Sequence, residues 1–454
     1  MKLFRTISAS ALLVLVGAAA LDAQTPAPQP APDQVITFEQ ALHLALTQNT
    51  LIKQAENANS IDATSVKQSK LAFLPNLSLS ASTADNLGRN FSESEGAIVN
   101  QTTQSVNGGL SSSITLFDGF RNVANLRSSQ KSEDASSQDL GRAKQTVVFT
   151  VASNFVALVS AQEQLRVQQE NLGSQQALED QIQRFVNAGV RPISDLYQQQ
   201  AQVASTNASV VDAKRAVELA KVDLIQTLQL DPRGTYEFAA PMVSGLASVA
   251  TYDLDSLLAK AFRNRLDLSA SAARVEASQQ DVRAANASRL PTVSLSAGYN
   301  SSYNTATDLG FADQLDQRRG GSVGLSVSIP IYDRGNASVA TERAQLQEEN
   351  ARLALANQKQ SVALEVRRAY LDFQSAQQKL VAAQAQQKAA DLAVQTSQER
   401  YRVGAATLVE VTQARATQVQ AASALVSARY NLVFQQALMS YYTGELDAGH
   451  VSLG

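Results

Sequence analysis

Residues 74–82 read LPNLSLSAS, and residues 290–298 read LPTVSLSAG. After each proline the chain alternates strictly. Leu77, Leu79 and Ala81 alternate with Ser78, Ser80 and Ser82; Val293, Leu295, Ala297 and Tyr299 alternate with Ser294, Ser296 and Gly298. A period of two puts one set on each face of a strand. Two further segments follow the rule. Leu110, Ser112, Ile114 and Leu116 alternate with Ser111, Ser113 and Thr115, and Val323, Leu325, Val327 and Ile329 with Gly324, Ser326 and Ser328. The pattern predicts strands over about 76–86, 109–117, 292–303 and 321–330. Each is about the length a tilted strand needs to cross a bilayer. One face is apolar and the other small and polar, as lipid outside and water inside require. A pair of water-exposed hairpins packed on helices is the alternative. Pro75 and Pro291 mark matching helix-to-strand junctions, because proline ends a helix and biases its predecessor toward extended geometry.

The repetition extends past the strands. LFD at 116–118 matches IYD at 331–333, and Val147, Val151, Phe155, Leu158 and Leu165 match Val362, Val366, Tyr370, Phe373 and Leu380. A shift of about 215 residues superposes most of the chain on itself. That period is far too long for a solenoid unit. It indicates a duplicated half: short helix, strand, polar loop, strand, very long helix, shorter helix.

Val362, Val366, Ala369, Phe373, Ala376 and Leu380 are spaced four, three, four, three, four, which is a supercoiled seam. No proline interrupts 335–402, so one helix of roughly 100 Å is expected there. Residues 120–188 form its counterpart, weakened but not broken by Gly141 and Gly173. Shorter helices are expected at about 37–72, 190–229, 254–288 and 406–442, stacked end to end in pairs beside each long one. Gly189 and Gly404 mark the chain reversals.

Lys2 and Arg5 precede an apolar run from Ile7 to Ala20, followed by small residues. This is a signal peptide over 1–23, cut after Ala20 or Ala23. Residues 24–36, rich in Pro, Gln and Ala, read as a flexible tether. No later apolar run reaches membrane-spanning length without charges, so no helical span is expected. The chain has no cysteine, hence no disulfide and no thiolate metal site. A net charge of -3 argues against a nucleic-acid partner. The two histidines, His43 and His450, have no companions for a metal site or a triad, and no catalytic constellation or cofactor site is found.

The duplication, the paired LP-x-[LV]-S-L-S and [LI]-[FY]-D junctions, and the turns RFVNAGVRPISDL (184–196) and RYRVGAATLVEV (400–411) together resemble the TolC-like outer-membrane efflux proteins. LQLDP at 228–232 resembles the sequence before that family's equatorial linker. The resemblance covers about 37–445. It implies repeats at 37–229 and 254–442, a linker at 230–253 and a tail at 443–454, with tether, linker and tail forming a belt. It implies a homotrimer whose chains share a twelve-stranded barrel and a helical tunnel. Its partners would be outer-membrane lipid, a periplasmic adaptor and an inner-membrane transporter.

The resemblance also assigns roles. Asp195 and Tyr401 match positions that link neighbouring coils and close the periplasmic mouth. Ser194 matches the hydroxyl of a second lock, whose arginine is replaced here by Ala406. Glu410 matches the first acidic position of the pore constriction, and Gln413 stands at the second. The turns at Gly189 and Gly404 would meet the adaptor. Glu410 has another reading, because Thr407 and Glu410 form a T-x-x-E capping box; pore ring and cap are compatible.

The expectation is a mainly α protein with membrane β. It is read as a non-enzymatic exit duct of a tripartite efflux pump, in the outer membrane of a Gram-negative-type bacterium. A type I protein-secretion channel and a periplasmic coiled-coil structural or adaptor protein are the alternatives.

Overall fold

The computed structural model describes residues 35–92, 96–100, 102–239, 252–307 and 309–446. The expected signal peptide, the tether as far as 34, the centre of the linker (240–251), and the tail from 447 with His450 lie outside the described residues.

The described residues open with strand β1 (Val35–Thr37) and helices α1 (Phe38–Gln48) and α2 (Thr50–Leu71). Strand β2 (Asn76–Asn86) follows, then a small hairpin of β3 (Arg89–Ser92) and β4 (Ala97–Asn100), then β5 (Thr103–Phe117). The long helix α3 spans Arg121–Asn187 and returns through α4 (Ile193–Leu228) to β6 (Glu237–Ala239). The second half repeats the plan with α5 (Leu254–Asn264), α6 (Leu266–Asn286), β7 (Thr292–Asn304), α7 (Phe311–Gln317), β8 (Gly320–Ser328), α8 (Asn336–Arg402) and α9 (Leu408–Tyr442). Helices α3 and α8 have 67 residues each, a length of about 100 Å.

Several expectations are corrected. The helix expected over 37–72 is two helices broken at Asn49, and that over 254–288 is broken at Arg265. Asn49 caps α2: its side chain accepts the Leu51 N–H at 2.9 Å and donates to the Thr227 carbonyl at 3.0 Å. Strand β5 starts at Thr103, six residues before the expected 109. A bulge between Thr115 and Phe117 shifts its apolar register from Leu116 to Phe117, which pairs with Val293. Residues 35 and 36 of the expected tether pair in parallel with β6. Ile36 is buried with Phe38, Phe155, Phe238 and Leu446, so apolar burial fixes both segments and the start of the tail. Helix α3 contains an uncharged run from Gln145 to Gln162 that is apolar enough to pass for a membrane span. Its Val147, Val148, Val151, Phe155 and Leu158 are instead buried in a core with α1 and α4.

The aspartate of each [LI]-[FY]-D motif caps a long helix. Asp118 accepts the Asn122 N–H at 2.9 Å; Asp333 accepts those of Gly335 at 3.0 Å and Ala337 at 2.6 Å. Between cap and helix both repeats place two successive left-handed residues, Gly119–Phe120 and Arg334–Gly335. Each repeat carries one glycine in this pair, at opposite positions.

Sheet and helices share one lateral order. The four-stranded sheet runs β2-β5-β7-β8, antiparallel throughout. Near it the helices pack α2 on α3, α3 on α6, α6 on α8; toward the tips α4 packs on α3, α3 on α9, α9 on α8. Strands β2 and β8 therefore sit at the same two sides as α2 with α4 and as α8. The seam of α8 (Val362, Val366, Ala369, Phe373, Ala376) is buried. Its opposite face exposes Val339, Leu346, Leu353, Leu364 and Leu371. The sheet exposes Leu77, Leu79, Val323, Leu325 and Val327. On its other face Ser78 and Ser111 join hydroxyls at 2.7 Å, and the Ser113 hydroxyl donates to Asn76 at 3.0 Å.

Candidate functional site

The end of the helical wall farthest from the sheet is built from two hairpin tips. Helix α3 turns into α4 at residues 188–192, and α8 turns into α9 at 403–407. Both turns close in the same way. Gly189 donates to Val186 at 2.9 Å and Val190 to Phe185 at 2.9 Å. Gly404 donates to Tyr401 at 3.1 Å and Ala405 to Arg400 at 2.7 Å. This paired closure needs a left-handed residue; Gly189 and Gly404 supply it at φ +70° and +80°.

A small apolar core joins the tips: Leu178, Ile182 and Leu196 from the first repeat, Tyr401, Ala406, Leu408 and Val411 from the second. Tyr401 is 1% exposed. Its hydroxyl is buried away from solvent. Burial pushes the phenol's pKa up; the Arg191 charge opposes this and Asp195 adds to it. Asp195, in the first turn of α4, thus lies near enough to act on the phenol. Ser194 is exposed beside it, and Ala406 is buried in the apolar core.

Arg191, which no local motif singles out, makes a polar contact between the tips. Its Nη2 donates to the Tyr401 carbonyl at 2.9 Å. Its guanidinium carbon lies 4.4 Å from the centre of the Tyr401 ring. Neither partner follows from a local motif, since 210 residues separate them.

Glu410 is in the first turn of α9 and closes the capping box with Thr407: Glu410 N donates to the Thr407 hydroxyl at 3.3 Å and Thr407 N to Glu410 Oε1 at 3.3 Å. Its other oxygen is 3.4 Å from Arg400 Nη1. Gln413 is exposed one turn further on. At the other end, Pro75 and Pro291 each stand one residue before a sheet strand. His43 is exposed on α1.

The family model for outer membrane efflux proteins matches residues 41–228 and 257–445. The outer membrane protein TolC of Escherichia coli is 27% identical over 315 residues, covering 67% of this chain and 62% of that protein's length. The pyoverdine export outer membrane protein OpmQ of Pseudomonas putida is 26% identical over 348 residues, covering 75% of this chain and 70% of the relative. The solved structure of CusC superposes with a TM-score of 0.78 at 16% identity, over 93% of this chain and 97% of that one. That likeness is one of fold.

Proposed function

Because this chain belongs to the outer membrane efflux protein family, we propose that it is a passive exit duct carrying small molecules across the periplasm and outer membrane. Three copies form the duct. Each contributes four strands to a shared barrel and its helices to a shared tunnel. An inner-membrane transporter supplies the energy, and a periplasmic adaptor meets the turns at Gly189 and Gly404. Closure lies at the tips around Asp195, Ser194 and Tyr401, and Glu410 and Gln413 line the constriction.

The observation that carries this reading is the coincidence of open edges. Among the described residues, strands β2 and β8 lack partners on their outer sides, and α8 presents an apolar face opposite its packed seam. In lipid an open sheet edge leaves backbone groups unpaired, at several kcal/mol each. Closed barrels begin at about eight strands, so four strands need further copies. Edges that coincide at sheet and helices let one rotation seal both levels. Small-molecule cargo draws support from the pyoverdine export named for one relative.

Membrane fractionation with planar-bilayer recording tests the reading. Recovery in the outer membrane and stepwise conductance are expected. A wholly soluble product without pore activity favours the coiled-coil alternative.

A further inference from the structure

We propose that the cavity beside Arg415, between α3, α8 and α9, is a binding site for a small oxyanion that carries a hydroxyl, inorganic phosphate in its hydrogenphosphate forms. The site is built from one chain and stands apart from the exit-duct reading. Its walls come from one stripe of each of two helices. Val167, Asn171 and Ser174 of α3 face Arg415, Val419 and Ala422 of α9, each set spaced four and three. Ser174 and Ala422 are too short to fill the space between the helices, and a cavity of about 150 Å³ remains. Gln387 of α8 lines it as well.

Three atoms of these cavity residues are buried without a hydrogen-bond partner among the described residues: Nε of Arg415, Oδ1 of Asn171 and Oε1 of Gln387. A guanidinium stays charged, and burying it unpaired is costly. The neighbouring carboxylates are engaged elsewhere. Glu170, which also lines the cavity, lies 2.9 Å from Arg166. Asp391 accepts the side-chain amides of Gln387 at 2.8 Å and Gln418 at 2.7 Å. Burial pushes the Arg415 pKa down, and no carboxylate charge opposes it. An anion in the cavity supplies the missing charge, its oxygens accepting from Arg415 Nε and the Ser174 hydroxyl. The amide oxygens narrow the choice. Gln387 cannot turn its Nε2 inward without losing Asp391, so its Oε1 calls for a donor. Sulfate and halides carry no hydrogen to give, whereas both forms of phosphate near neutral pH carry a hydroxyl. Bound there, phosphate joins α3 of the first repeat to α8 and α9 of the second.

The test uses the full chain in detergent at fixed pH and ionic strength, with inorganic phosphate as the probe. Equilibrium dialysis reads uptake, and the melting temperature reads linkage. Phosphate should be taken up saturably and should raise the parent's melting temperature. Sulfate, of the same shape but without a hydrogen, should bind at least about tenfold more weakly. Arg415→Gln should weaken phosphate binding about ten- to hundredfold, and Asn171→Ala about three- to tenfold. Without phosphate, Arg415→Gln should melt no lower than the parent, because it removes a buried charge that lacks a countercharge. A parent that takes up no phosphate overturns the site, as does an Arg415→Gln chain that binds it like the parent. Sulfate or chloride binding as tightly as phosphate overturns the hydroxyl-bearing class. If Glu170→Gln lowers the melting temperature while phosphate leaves the parent's unchanged, Glu170 is the countercharge and the proposal fails. If Arg415→Gln does not fold, Arg415→Lys and Asn171→Ala decide by the same criteria.

Discussion

Arg400 Nη1 lies 3.4 Å from Glu410 Oε2, while Glu410 Oε1 takes the Thr407 N–H. Both side chains of the ion pair are about half exposed, so its contribution to stability is small. Its effect is on the charge that a constriction would present. Glu410→Gln retains a side chain able to close the capping box but removes the charge, and should lower cation preference. Arg400→Ala should raise it. Reversal potentials in a salt gradient check both, and an unshifted potential in Glu410→Gln leaves the residue a cap only. Glu410→Ala should also lose capping stability, about 1 kcal/mol.

Arg265 fills the break between α5 and α6 and is 3% exposed. It donates to both Asp267 oxygens and, at 2.8 Å, to Glu365. Burial alone pushes the Asp267 carboxyl up, but the bond and charge of Arg265, with Arg142 and Gln358, outweigh it and hold the pKa below its usual value. A depressed carboxyl stabilises the fold above the unfolded pKa, near 4, and loses that contribution as pH falls through the folded value. Thermal stability should therefore decline below about pH 4. Arg265→Ala should cost about 1–3 kcal/mol, the loss of charged hydrogen bonds, because Asp267 keeps its Gln358 and Leu268 bonds and Glu365 reaches solvent; denaturant or heat reads it. A loss within the range of a surface substitution contradicts this.

The left-handed glycines differ in their surroundings. At Gly404 an added Cβ meets nothing within 4 Å, so Gly404→Ala should cost only the backbone penalty, about 1–2 kcal/mol. At Gly119 it would meet Leu290 Cβ at 2.8 Å and the Ala287 carbonyl at 2.9 Å, and at Gly444 the Asn264 carbonyl at 2.8 Å. Gly119→Ala and Gly444→Ala should be the more destabilising pair. Melting temperatures rank them, and equal losses at all three positions contradict the steric argument.

Leu79 is 82% exposed on the apolar face of the sheet, in register with Leu110 and, across it, Tyr299. Leu79→Arg should cost about 2–4 kcal/mol at mid-bilayer depth and reduce outer-membrane recovery. Ser78→Thr on the polar face should be neutral. Equal recovery of both variants removes the lipid-facing assignment.

The strands, the long helices and the tip turns were legible because periodicity and glycine act locally. Leu77 to Ala81 can be read only one way, and Val362 to Leu380 fix their own seam. The helix breaks were hidden by residue choice. Asn49 is tolerated inside helices, and Arg265 is a good helix former whose break rests on Asp267 and on Glu365, 100 residues away. The early start of β5 was hidden because Thr103 to Gly109 carry almost no apolar residues. Ile36 looked like tether because the strand that pairs with it lies some 200 residues downstream. Arg191 was missed for the same reason: its partner belongs to the other repeat.

On the proposed function, one chain supplies only part of a pore wall. Native mass spectrometry of the full chain released from lipid nanodiscs tests it most directly. A particle of three identical chains is expected, with stepwise conductance from the same preparation. A conducting or lipid-embedded particle that holds a single chain contradicts it.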